Sequence, residues 1–349
     1  VEFVSEYGLF LAKTITFVVA ALFVAGSLAA LAQRQKKSGD WEIEVSHLNK
    51  RLKHYQQELE HHILDKADVK RIEKAEKKAE KVRHKARKES LKEGASEPEV
   101  ARRVYVLDFH GDIRASEVSN FREAVTALLG LATQADEVVV RLESPGGMVH
   151  GYGLAASQMA RIRSANIPLT VCVDKVAASG GYLMACLANK IIAAPFALIG
   201  SIGVVAQIPN VNRLLKKHDI DFEVLTAGEF KRTLTVFGEN TEKGREKFQQ
   251  DLEETHLLFK EWVAEHRSQL DIDEVAKGEV WYGARAIQLK LIDALETSDD
   301  YLLRQTKNAE VYHVRYHEKK KLAEKLGISI ATMLESSVLR IQKLFSMRA

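Results

Sequence analysis

From Val104 onward, short runs rich in Val, Ile and Leu alternate with helical segments, and this alternation constrains the fold more than any other feature of the chain. The β-rich runs cover residues 104–109, 137–143, 169–174 and 190–194, with helices expected near 116–131 and 152–163 and directly after Ser179. Strands separated by helices imply a mainly parallel sheet with helices packed on it. Val138, Val139 and Val140 are apolar without interruption, as a buried parallel strand should be. The fold class is therefore α/β.

The N-terminal third reads differently. Residues 14–32 form an uncharged, mostly apolar run of 19 residues, which at ~1.5 Å per residue reaches roughly 28 Å, enough to cross a bilayer. The run is longer than the apolar part of an ordinary signal peptide, and a charged helix-like segment follows at once, so an uncleaved anchor is favoured. From Gln33 to about Arg103 the composition turns to Lys, Glu, Arg, His and Ala, and residues 70–92 alone carry 11 Lys and Arg against 4 Glu. Val45, Leu48, Leu52, Tyr55 and Leu59 share one helical seam there. The segment is read as a charged helical spacer, because the stacking aromatics of a nucleic-acid surface are absent and the net charge of the whole chain is only +3. The expected organisation is an anchor at 1–33 with residues 9–32 in lipid, a spacer at 34–103, a catalytic domain at 104–310, and a strand and amphipathic helix at 311–349.

Within the catalytic region, a long helix is expected after Thr241, with Phe248, Leu252, Leu257, Leu258 and Trp262 near helical spacing. Two cysteines, Cys172 and Cys186, lie in apolar runs with no spacing that suggests a metal site. No cofactor is expected.

Three segments follow expected strands and can converge at one sheet edge: Ser144-Pro145-Gly146-Gly147, Ala177-Ala178-Ser179-Gly180-Gly181-Tyr182, and Lys231 after a strand expected near 222–226. A serine between small residues at a strand-to-helix turn presents its hydroxyl without steric cover. Ser179 fits that description. N–H groups of the Gly146–Gly147 turn, with the amide of Gly180, can form an oxyanion hole.

These segments, together with Gly200-Ser201-Ile202-Gly203 and Ala227-Gly228-Glu229-Phe230-Lys231, resemble the signal peptide peptidase A (SppA) family, and the anchor, spacer and single catalytic domain are most similar to its SohB branch. The resemblance covers about 104–293. It implies a ClpP/crotonase-like fold, self-assembly, and Ser-Lys endopeptidase activity on membrane-associated proteins or signal peptides at a bacterial inner membrane. It also implies Ser179 as nucleophile, Lys231 as base, and the Ser201 hydroxyl near the lysine amine.

A lysine serves as base only when its amine is neutral near pH 7. That requires a fall of about three units from ~10.4, through burial away from carboxylates. Ala227, Gly228 and Phe230 bring no acid, while Glu229 must point away. His150, close to the SPGG turn, is the reserve base. The uncharged stretch 191–212 resembles a second membrane span, but Pro195, Gly200, Gly203 and Pro209 interrupt it, and a span there would separate Ser179 from Lys231. It is therefore expected to be buried strand and turn. Lys290 stands where the family usually has a glycine that permits a tight helix end.

Two other functions compete. A crotonase-type acyl-CoA enzyme would also use paired glycine turns, and a non-enzymatic membrane scaffold would use the charged spacer for assembly. Resemblance favours a periplasmic catalytic domain, whereas Arg34, Lys36 and Lys37 after the apolar run favour the cytoplasm.

Overall fold

The computed structural model describes residues 8, 10, 13–19, 41–92 and 102–318. Among these, no helix is long and apolar enough to cross a membrane. Most of the expected anchor, and the tail beyond 318, lie outside the described residues. Residues 45–315 form one compact unit.

In chain order the elements begin with β1 (Trp41–His47), the paired helices α1 (Leu48–Ile63) and α2 (Lys66–Lys92), β2 (Arg103–His110), α3 (Val118–Leu129), β3 (Glu137–Glu143), α4 (Val149–Ser164) and β4 (Leu169–Val173). There follow β5 (Val176–Ala178), α5 (Gly180–Ala185), β6 (Lys190–Ala193), β7 (Leu198–Gly200), α6 (Asn212–Lys217), α7 (Glu242–His266) and α8 (Ile272–Val275). The last elements are β8 (Val280–Tyr282), α9 (Gly283–Ala286), β9 (Ala294–Leu295), α10 (Ser298–Gln305) and β10 (Glu310–Glu318).

The main sheet is seven-stranded in the order β1-β10-β2-β3-β4-β6-β9. The pairings β10–β2, β2–β3, β3–β4, β4–β6 and β6–β9 are all parallel. Val138, Val139, Val140 and all of β4 are buried, which explains their unbroken apolar sequence. One face of the sheet packs Val104, Val106, Val139 and Ile192 with Leu48 of α1 and Tyr301 and Leu302 of α10. On the other, Phe109 meets Phe121 of α3 and Tyr152 of α4 edge-on. A three-stranded sheet, β5-β7-β8, carries the turns that matter for function.

Three expectations change. Val45 lies in β1, so the spacer seam starts at Leu48; Leu48 and Leu52 pack on the core while Tyr55 and Leu59 are exposed. On α7 the buried residues include Phe259 and Val263, whereas Leu257 and Leu258 face outward. Residues 191–202 are strand and turn with a largely buried interior, as expected, but 205–210 are exposed and irregular. Chain direction there is set by the prolines and glycines, and burial by what packs on it.

The helix end at Lys290 stays tight. Lys290 adopts φ +61°, and the Leu291 N–H reaches back to the Ala286 carbonyl at 3.0 Å. A lysine thus occupies a left-handed position that costs a residue with a Cβ about 1–2 kcal/mol. Arg267 holds this end in place: it donates to the Lys290 carbonyl at 3.0 Å and to both carboxylate oxygens of Asp293 at 2.9 Å.

Candidate active site

Ser179 sits between β5 and α5 with φ 51° and ψ −119°. A non-glycine residue pays about 1–3 kcal/mol for such a backbone, so the surroundings must enforce it. They do so through hydrogen bonds: Ser179 N–H donates to the Gly200 carbonyl at 2.8 Å, and the Ser179 carbonyl accepts from Leu183 N–H at 2.9 Å. The strand-to-helix reversal leaves the Ser179 side chain partly exposed while Ala178 and Gly180 on either side are buried.

The SPGG turn lies against this corner. Ser144 pairs with Ala177 in a parallel bridge and accepts through its carbonyl from Ala178 N–H at 3.0 Å. Gly146 has φ +90°, and a Cβ there would fall 2.6 Å from Ser179 Cβ and 2.8 Å from Gly180 N. Only a glycine allows that approach. Among the described residues, the N–H groups of Gly147 and Gly180 have no acceptor. Gly146 corrects the sequence-based donor set: its N–H is committed to Ser144 Oγ at 3.1 Å. The turn thus offers Gly147 and Gly180 as free amides, with Gly146 as the place of close contact.

Ser201 follows the Gly200 carbonyl that holds Ser179; it has φ 52° and donates its N–H to the Glu279 carbonyl at 2.6 Å. The structure therefore brings Ser179, Gly146, Gly147, Gly180 and Ser201 into one neighbourhood.

Lys231 is not joined to it by a hydrogen bond. No strand forms at 222–226; residues 221–240 are irregular, with Gly228 at φ +97°. The Lys231 side chain is exposed, and among the described residues its ammonium has no hydrogen-bond or ion-pair partner. The burial expected of a lysine base is not supplied by these surroundings. Glu229 is engaged by Lys243, in line with the requirement that it turn away. Val205, Ile208, Leu214, Phe222, Leu225 and Phe230 are exposed along the same segment, Leu225 at 91%. His150 lies exposed in the first turn of α4, with no bond to Ser179.

Sequence reasoning missed the residues behind the turn. Ser144 and Tyr152 are both completely buried and hydrogen-bonded to each other at 2.5 Å. Tyr152 reads in the sequence as one more core aromatic on a helix; the only signal was that a buried phenol needs a partner. Cys172 and Cys186 are buried and unbridged.

A serine hydroxyl on a strained turn with unpaired amides beside it is the equipment of an acyl-transferring hydrolase. Residues 2–159 match the family described as Peptidase family S49 N-terminal, and residues 161–312 match Peptidase family S49. A probable protease SohB of Haemophilus influenzae is 53% identical over 327 residues, covering 93% of this chain and 92% of that protein. Another, from Buchnera aphidicola subsp. Schizaphis graminum, is 43% identical over 342 residues, covering 98% and 97%. A solved membrane-bound stomatin-specific protease in complex with a substrate peptide aligns with TM-score 0.41 and 16% identity, covering 64% of this chain and 97% of that one. The chain belongs to peptidase family S49, of the SohB type, and is a serine peptidase.

Proposed function

We propose that the chain is a membrane-anchored serine endopeptidase that cleaves membrane-associated proteins or signal peptides with a Ser179–Lys231 dyad. The observation that carries this reading is the strained Ser179 turn beside the unpaired Gly147 and Gly180 amides.

Ser179 Oγ attacks the peptide carbonyl carbon and passes its proton to Lys231 Nζ. The oxyanion takes hydrogen bonds from Gly147 and Gly180, each such donor contributing about 3 kcal/mol to the transition state. The C–N bond then breaks, Lys231 returns the proton to the leaving amine, and an acyl-enzyme remains. Lys231 next takes a proton from water as it attacks the ester carbonyl; the ester C–O bond then breaks, and Lys231 returns the proton to the Ser179 oxygen. Ser201 orients the lysine amine.

For this chemistry the exposed Lys231 must be desolvated. The run of exposed apolar side chains around it supports cover by a second copy of the chain or by the substrate. Residues 9–32 anchor the enzyme in the inner membrane, with the catalytic domain on the periplasmic side. Reporter fusions after Arg103 test that orientation, and cytoplasmic signal overturns it.

The deciding experiment is labelling by a fluorophosphonate probe with the modified peptide mapped by mass spectrometry. Label on Ser179, lost in Ser179→Ala and slowed in Lys231→Ala, is the expected result. Full labelling and cleavage by Lys231→Ala remove the lysine as base and turn attention to His150. No label together with thioester turnover would favour the acyl-CoA alternative.

A further inference from the structure

Ser144 and Tyr152 take no part in the steps above, yet they stand directly behind them. The Gly146 N–H donates to Ser144 Oγ at 3.1 Å, Ser144 Oγ lies 2.5 Å from Tyr152 Oη, and Tyr152 Oη donates to the Asp112 carbonyl at 2.8 Å. A phenol has one proton, and here it is committed to a carbonyl that can only accept. Ser144 must therefore be the donor in the 2.5 Å contact. The chain has one direction: Gly146 N–H to Ser144 hydroxyl, to Tyr152 hydroxyl, to Asp112 carbonyl. Burial pushes the Tyr152 phenol above its ordinary value, so it stays protonated through the neutral range.

The tyrosine ring makes a second contact. A Cβ on Gly180 would fall 2.3 Å from Tyr152 Cγ, so the ring packs directly on the Gly180 backbone. A Cβ on Gly111, just past β2, would fall 2.3 Å from Tyr152 Oη and 2.5 Å from Ser144 Oγ. The absent side chain at Gly111 is what leaves room for the hydroxyl pair. Tyr152 thus touches both sides of the oxyanion hole, the SPGG turn through its hydroxyl and the Gly180 amide through its ring.

We propose that Tyr152, acting through Ser144, is a positioning residue that sets the spacing of the two oxyanion donors, Gly147 and Gly180. This rests on the reading of Ser179 as nucleophile. Donors must lie 2.7–3.1 Å from the developing oxyanion, and a displacement of about 1 Å can cost ~100-fold in rate. A group that only spaces these donors acts on the transition state and leaves substrate binding alone.

The test uses the full-length chain with Tyr152→Phe, which keeps the ring on Gly180, and Ser144→Ala. Both should lower kcat by roughly 10- to 100-fold with KM within about twofold. Affinity for a peptide aldehyde, whose tetrahedral adduct puts an oxygen in the hole, should fall by the same factor. The double variant should lose no more than the worse single one, since both cut one chain. Unchanged kcat and aldehyde affinity in a variant with wild-type Tm would overturn the proposal, as would a change in KM alone or multiplicative losses in the double variant. If Tyr152→Phe does not fold, Ser144→Ala carries the same readouts with less volume removed. Wild-type enzyme that takes no fluorophosphonate at Ser179 refutes the nucleophile itself. Labelled wild type beside an unaffected Tyr152→Phe refutes only the positioning role.

Discussion

The Ser179 corner and the Lys231 segment differ in almost every physical respect. Around Ser179 the backbone is strained, the flanking residues are buried, and turns from β3, β5 and β7 are tied by hydrogen bonds. Around Lys231 the chain is irregular and its apolar side chains face outward. The contrast teaches that the Ser179 corner and the free Gly147 and Gly180 amides are held by this chain's own packing, while Lys231 stands uncovered. A fixed donor geometry needs rigidity, whereas a lysine needs only that water be removed at the moment of reaction.

Substitution of the reacting groups should have the largest effect. Ser179→Ala is expected to reduce peptide cleavage by on the order of 10⁴- to 10⁶-fold with an unchanged melting curve, and Lys231→Ala to approach it. A Lys231 variant that cleaves as fast as wild type would break the comparison by showing the irregular segment to be dispensable.

Arg267→Ala should be the most damaging change to stability near the rigid region, by about 3–5 kcal/mol in urea unfolding. Arg267 is almost fully buried and paired through two bonds to Asp293, which in turn accepts from the Ile191 N–H at 2.7 Å. An ordinary surface-sized loss would mean that this end of the sheet is looser than its contacts imply.

Acid should also distinguish the two regions. Burial by itself raises the Asp108 carboxyl, but hydrogen bonds from His313 and Arg141, with the Arg141 charge, outweigh it and leave the group well below the usual carboxylate range. A carboxyl with a depressed folded value stabilises fully above pH ~4 and loses that stabilisation as pH falls toward its folded value. Stability should therefore drop below pH 4, with Asp108→Asn flattening the decline by about 2 kcal/mol. The exposed Lys216–Glu239 pair beside the Lys231 segment should leave the profile unaltered when Glu239 becomes Gln.

Lys290→Gly should stabilise by about 1 kcal/mol, read as a raised Tm, because it relieves the left-handed strain without removing a contact that the backbone needs. Leu225→Ser should be the mildest for the folded chain, within about 0.5 kcal/mol, yet it should lower activity if that face is covered during reaction. Full activity in Leu225→Ser would move the cover elsewhere.

Much of the sheet was legible because its signals are local. β3 appears at the residues its sequence implied, and β2, β4 and β6 differ only at their ends, since an unbroken apolar run is what a strand buried on both faces requires. The strand expected at 222–226 does not form: Phe222, Val224 and Leu225 have strand-like composition but no neighbouring strand to pair with.

By itself the sequence determined the α/β class and the strand-to-helix turn at Ser179, because these depend on which backbone angles and which side-chain volumes adjacent residues permit. The tertiary structure decided the rest. It brought Gly146 against Ser179 and Gly180, set the Tyr152 ring on Gly180, and left Lys231 exposed. Close approach and burial are properties of what arrives from distant segments, and neither is written in the residues nearby.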